Sequence, residues 1–104
     1  MGKKEIIRQL KVFKKRMSLE IPVEKLIFFG SRASGKPQKW SDIDLVVVSP
    51  SFRHKKSFKR AVGLYHMWTL DYPVDFLCYT PDEFNELSKH TTIVRAAIKE
   101  GVEI

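Results

Sequence analysis

The sequence predicts an α+β domain: a small mixed β-sheet of three or four strands with helices packed mainly on one side. Three observations lead there. Helix-period and strand-like apolar patterns alternate along the chain in the order helix, strand, strand, helix, strand, helix, helix. The first two strands are joined by the eleven-residue loop 31–41 and can be antiparallel neighbours, whereas the second and third are joined through a helix-length segment and should run parallel. Finally, 104 residues with 43% hydrophobic and 12% aromatic content suffice for one modest core. Residues 1–104 therefore read as a single domain, whose core a partner or a second copy could supplement.

Each element has its own signal. Ile6, Leu10, Phe13 and Met17 recur at helical spacing with Lys and Arg between them, which predicts an amphipathic helix over 3–17, broken by 18–22. Residues 23–29 are apolar and aromatic up to Gly30 and read as a first strand. Residues 42–48 read as a second, ended by Ser49-Pro50. Phe58, Ala61, Val62, Tyr65 and Trp68 return to helical spacing within 52–70, predicting about four turns despite Gly63, which costs ~1 kcal/mol against Ala. At that spacing Phe58, Tyr65 and Trp68 are expected in the core. Residues 73–79 make a third strand. Thr80-Pro81-Asp82-Glu83 then supplies an N-cap, a proline at the first helical position and a carboxylate at the third, predicting a short helix to about residue 88. Ile93, Val94, Ala97 and Ile98 mark a last helix with Gly101 at its C-terminal cap.

No stretch approaches the ~18 apolar residues of a membrane span, and Met1-Gly2 is followed by Ile6 where a myristoylation signal needs Ser or Thr. The one cysteine, Cys78, sits in an apolar run and reads as a buried small hydrophobe; the lack of a second fits a reducing, cytoplasmic setting. The net charge of +7 is unevenly spread. Residues 1–60 carry 16 of the 19 Lys and Arg and 5 of the 12 Asp and Glu, a balance of +11, against −4 for residues 61–104. Such segregation suits a basic face that draws polyanions, nucleotides or an acidic partner, and equally suits a solvated helix face.

The chemistry concentrates in 30–44. Gly30-Ser31, ten intervening residues, then Asp42 and Asp44 place a phosphate-holding turn at the end of one strand and two carboxylates at the start of the next. Aspartates two apart on a strand share a face. A pair of hard oxygen ligands suits Mg²⁺, which completes its shell with water and substrate phosphate. The chemistry suggested is phosphoryl or nucleotidyl transfer. Gly30-x4-Gly35-Lys36 also imitates the front of a Walker A loop, but Pro37 stands where Ser or Thr must hold Mg²⁺ and a strand follows where a helix should. His54, His66 and His90 lie in different elements and do not make a metal cluster.

Gly30-Ser31, the ten-residue gap, Ser41 before Asp42-Ile43-Asp44, and a further aspartate on a later strand resemble the nucleotidyltransferase superfamily typified by DNA polymerase beta. The shortness of the chain, the VDFLCYTPDEF segment and the terminal VRAAIKEGVEI resemble its minimal branch, often described as antitoxins. The resemblance implies Asp75 as third carboxylate. Asp71 and Asp82 are its neighbours, but Asp71 lies in a turn and Asp82 suits helix-cap electrostatics. It further implies two Mg²⁺ ions held by Asp42, Asp44 and Asp75, and ATP as substrate. Gly30 and Ser31 would lie on the β and γ phosphates, with Arg32 and then Lys36 or Lys39 neutralising phosphate charge. The expected acceptor is a tyrosine of a helical HEPN-family toxin. Transfer to a small hydroxylated molecule, and a non-catalytic module that binds a toxin or nucleic acid, are the alternatives.

Overall fold

The computed structural model describes residues 2–35 and 41–104. The chain runs α1 (Lys3–Glu20), β1 (Lys25–Phe29), α2 (Ser31–Ser34), β2 (Ile43–Val48), two 3-10 turns (Pro50–His54 and Ser57–Lys59), α3 (Val62–Met67), β3 (Val74–Tyr79), α4 (Pro81–Ser88), α5 (Ile93–Glu100) and β4 (Val102–Glu103). The four strands lie in the order β3-β2-β1-β4. As expected, β1 and β2 are antiparallel while β2 and β3 are parallel.

The period-2 alternation of the strands divides the core. Leu26, Phe28, Leu45, Val47 and Phe76 point to one face and meet the α1 stripe Ile6, Leu10, Phe13 and Met17, with Leu64 of α3. Ile27, Val46 and Val48 point to the other face and meet Phe84 of α4 and Val94 and Ala97 of α5. Helices thus cover both faces, where mainly one was expected. Successive residues of β1 and β2 are apolar, so neither face could be left to water, and each fully buried side chain of this size contributes about 1.5–3 kcal/mol. The larger cluster is the one under α1 and α3.

α4 ends where expected, while α1 runs three residues past the expected end at 17, to Glu20, before Ile21 turns extended. α4 carries the complete capping box: the Glu83 amide donates to Thr80 Oγ1 at 3.2 Å and the Thr80 amide to Glu83 Oε1 at 2.8 Å. α5 starts at Thr92, whose Oγ1 accepts from the Arg95 amide. Gly101 occupies the cap position with extended backbone, its amide donating to Ala97 O at 2.8 Å. Close approach demands the glycine there, since a Cβ would lie 2.4 Å from that carbonyl and 2.8 Å from Phe28 O.

The expected four-turn helix over 52–70 is instead two 3-10 turns and the short α3. The cause is local competition for backbone groups. Ser49 Oγ accepts from the Ser51 amide, and the Lys59 and Arg60 amides bond three residues back, to Lys56 and Ser57. Arg60, only 8% exposed, reaches Lys55 O through Nε and Cys78 O and Glu83 through Nη1, pinning the turn to the end of β3. Trp68 packs edge-on against Phe13 and Phe76, as expected of a core residue. Tyr65 meets Phe76 edge-on but stays 47% exposed, and Phe58 is 73% exposed on the second turn, so neither joins the core as expected. Cys78 packs as an intermediate-burial hydrophobe, its thiol pushed up to about 12 mainly by desolvation. Among the described residues no helix is long and apolar enough to cross a membrane.

Candidate active site

β1 ends at Phe29, and Gly30 then turns the chain with φ +84° and ψ −167°, a conformation that favours glycine. Its carbonyl accepts from the Ala33 and Ser34 amides and starts α2. Gly35, also at positive φ, closes that turn with its amide on Ser31 O. The decisive contact is sideways. A Cβ on Gly30 would lie 2.2 Å from Asp44 Oδ2, so the bare backbone of the Gly-Ser turn rests against the Asp44 carboxylate.

Asp44 is the second residue of β2. Its register partners are Phe29 on antiparallel β1 and Asp75 on parallel β3. Register partners in neighbouring strands share a face, so Asp44 and Asp75 project together, on the side that carries Val46, Val48, Leu77 and Tyr79. Asp42 precedes the strand and acts on Asp44 electrostatically. Asp44 is half-buried, while Asp42 and Asp75 are exposed. The Asp44 carboxyl is pushed above the usual range, first by burial and then by the charges of Asp75 and Asp42. A half-buried acid destabilised by two like charges is the electrostatic complement of a divalent cation.

Among the described residues no group of three or more His, Cys, Asp or Glu side chains is gathered to hold a metal ion, so the expected trio Asp42, Asp44 and Asp75 is not drawn together as one ligand set. What the strands do bring together is the pair Asp44 and Asp75, hard oxygen donors of the kind a divalent cation takes in small number while water and phosphate complete its shell. Their mutual repulsion fits such an ion.

Arg32 does more than lie near the site. Its Nε donates to Ser41 O at 2.6 Å, and its guanidinium lies 4.6 Å from the Tyr72 ring centroid. Ser41 leads into β2 and Tyr72 into β3, so one side chain braces the Gly-Ser turn against the entries of both acid-bearing strands. Tyr72 was not singled out in the sequence, because a cation-ring pair forty residues apart leaves no local pattern. Of the competing carboxylates, Asp71 is exposed before Pro73, and Asp82 lies in the first turn of α4 paired with Arg53 at 3.1 Å. His54 and His66 are exposed and His90 meets Glu86, so none joins the acids. Lys36 and Lys39 lie outside the described residues.

A family model for the nucleotidyltransferase domain matches residues 6–104. A crystal structure of a candidate nucleotidyltransferase from Sulfolobus solfataricus shares the fold with a TM-score of 0.68 at 20% sequence identity, covering 97% of this chain and 80% of that one. No curated protein sequence matches. The four-stranded mixed α+β sheet is thus that of a nucleotidyltransferase, at a size that fits the minimal branch. With the family match running from Ile6 to the last residue, across the Gly30 turn and all three aspartates, the chain belongs to the nucleotidyltransferase-domain family.

Proposed function

We propose that residues 1–104 act as a single, magnesium-dependent domain that transfers AMP from ATP to a protein hydroxyl, a tyrosine of a helical HEPN-family toxin, and so serves as its antitoxin. Nucleotidyl transfer follows from the family. The site assignment rests on one observation: Asp44 and Asp75 are register partners on one face, with the Gly30 backbone packed on the Asp44 carboxylate.

Asp42 and Asp44 would hold the ion that enters with the triphosphate, and Asp75 would join them around a second. Bound Mg²⁺ supplies charge neutralisation of the triphosphate and of the developing pyrophosphate. Gly30 admits a phosphate close to the main chain, and the Ser31 hydroxyl can donate to its β or γ oxygens. Asp75, exposed at the rim, takes the proton from the acceptor hydroxyl. That oxygen attacks the α-phosphorus, the bond to the bridging oxygen of pyrophosphate breaks, and pyrophosphate leaves. Arg32 keeps the Gly-Ser turn and both strand entries in register, with its cationic group available to phosphate.

A cavity of about 490 Å³ lined by Tyr79 and Leu87 beside Arg60 and Glu83 lies along β3 from Asp75, with Tyr79 ~13 Å away at the rise of a strand. A protein side chain can be presented to Asp75 from outside. The unpaired Cys78 suits the cytoplasmic setting that this role requires. Intact-mass analysis of the product of an adjacent reading frame, after incubation with ATP and Mg²⁺, should show added AMP on tyrosine. An unmodified partner together with efficient transfer to a small hydroxylated acceptor would overturn the reading.

A further inference from the structure

The face opposite the carboxylates has a groove that neither the core nor the transfer chemistry explains. Between the end of α1 and α3 lies a cavity of about 280 Å³ lined by Ile21, Phe52, Gly63, Leu64 and Met67, with Glu20, Lys55 and Arg60 as its charged members. Gly63 is the informative residue. Its φ is not positive, and a Cβ there would meet nothing within 4 Å, so neither backbone conformation nor packing within this chain calls for glycine. Glycine is among the poorest helix formers, yet it stands at the second position of α3. Its one structural consequence is an open wall to the groove.

The segments that wall the groove are also apolar on their exposed sides. Among the described residues, five of the seven exposed large hydrophobics lie on them: Val12 and Leu19 on α1, and Phe58, Val62 and Tyr65 on the turn and α3. Val12 and Leu19 share a flank of α1 with Arg16, at i, i+4 and i+7, and Arg16 reaches Thr69 just beyond α3. Leu19 is 87% exposed and Val62 53%. Around them Lys55, Lys56 and Lys59 are exposed, as are Lys4, Lys11 and Lys15 on the outer side of α1, against Glu20 at the groove itself. A polyanion would use the lysines but would leave the exposed leucine and valines uncovered. An apolar anchor in a groove, with a charged rim that selects its partner, is the pattern of protein docking.

We propose that this groove is a docking site for a protein segment that presents a large apolar side chain flanked by carboxylates. The identity of the natural partner rests on the function proposed above; the surface does not. Because α1 and α3 cover the face opposite Asp44 and Asp75, a partner held here leaves the nucleotide side open.

The test uses the full chain, labelled with ¹⁵N, and three probes: a synthetic helical peptide with Leu-Trp between glutamates, the same peptide with lysines in place of glutamates, and a single-stranded oligonucleotide of matched charge. The glutamate peptide should shift the amides of Leu19, Lys55, Gly63 and Met67, and the lysine peptide should bind at least about tenfold more weakly. Gly63→Trp should abolish those shifts. Gly63→Ala should raise the melting temperature while weakening the peptide, which separates the groove from folding if the larger substitution disturbs the fold. Absence of the shifts, equal binding of the two peptides, unchanged binding by Gly63→Ala and Gly63→Trp, or displacement of the peptide by the oligonucleotide would each overturn the proposal. An ATP and Mg²⁺ titration of the same sample distinguishes the failures. Lost nucleotide binding with intact peptide shifts counts against the transferase site, and the converse counts against the groove.

Discussion

At Gly30 a single methyl group is enough to dismantle the site. Gly30→Ala would place a Cβ 2.2 Å from Asp44 Oδ2 in a backbone conformation that L side chains rarely adopt. Displacement of the carboxylate by ~1 Å is the scale that costs roughly 100-fold, so transfer should fall at least that far. The strained φ should lower stability by ~1–3 kcal/mol, read by thermal unfolding. Asp75→Asn should depress turnover while sparing ATP binding, whereas Asp71→Asn and Asp82→Asn should behave as the unaltered protein. Kinetics that ranked these three the other way would move the third carboxylate. Arg32→Lys should recover little of what Arg32→Ala loses, because lysine can neither lie flat over Tyr72 nor offer the Nε that holds Ser41. The Gly30 turn after the first strand and Asp44 near the start of the second could be read from the sequence, whereas Asp42, read as part of that strand, stands just ahead of it. The cross-strand register that brings Asp75 to Asp44, and the Arg32–Tyr72 brace, are products of tertiary structure and had no local signature.

Among the elements, the crossover from β2 to β3 depends most on one buried ion. Arg60 satisfies the carbonyls of Lys55 and Cys78 and pairs with Glu83, which also belongs to the capping box of α4. Arg60→Met should keep much of the side-chain volume but leave two acceptors unpaired, costing about 1–3 kcal/mol in denaturant unfolding. Glu83 is held below its ordinary pKa chiefly by the hydrogen bond from Arg60. A carboxyl depressed in the folded state adds stability above its unfolded pKa and loses it as pH falls toward the folded value. Stability should therefore decline with acidification below the usual glutamate range, and Glu83→Gln should flatten that limb. Strand pairing and the α4 cap were legible because alternation and Thr-Pro-Asp-Glu are local patterns. The break in 52–70 was not, because Arg60 looks like any surface cation until the end of β3 is placed beside it. β4 escaped because two residues carry no periodicity; its pairing with β1, continued by the Ile104 amide on Leu26 O, is a long-range contact with no local pattern. The reading of Phe58 failed for the same reason as the long helix.

At the scale of the molecule, the charge imbalance of the sequence becomes a division of labour between two faces. α1 and the turns before α3 carry the basic excess over one side of the sheet, while Asp44 and Asp75 project from the other. Association with an acidic partner should accordingly slow severalfold as salt is raised from low to physiological strength, measured by stopped-flow, with little change in unimolecular dissociation. On the acidic face, transfer of label from α-³²P-ATP to the partner protein is the decisive measurement. Label should appear with Mg²⁺, disappear when the metal is chelated, and remain absent for Asp44→Asn at any Mg²⁺ concentration. Label transferred equally well without divalent metal, or by Asp44→Asn, would contradict a carboxylate-held metal centre at the Gly30 turn.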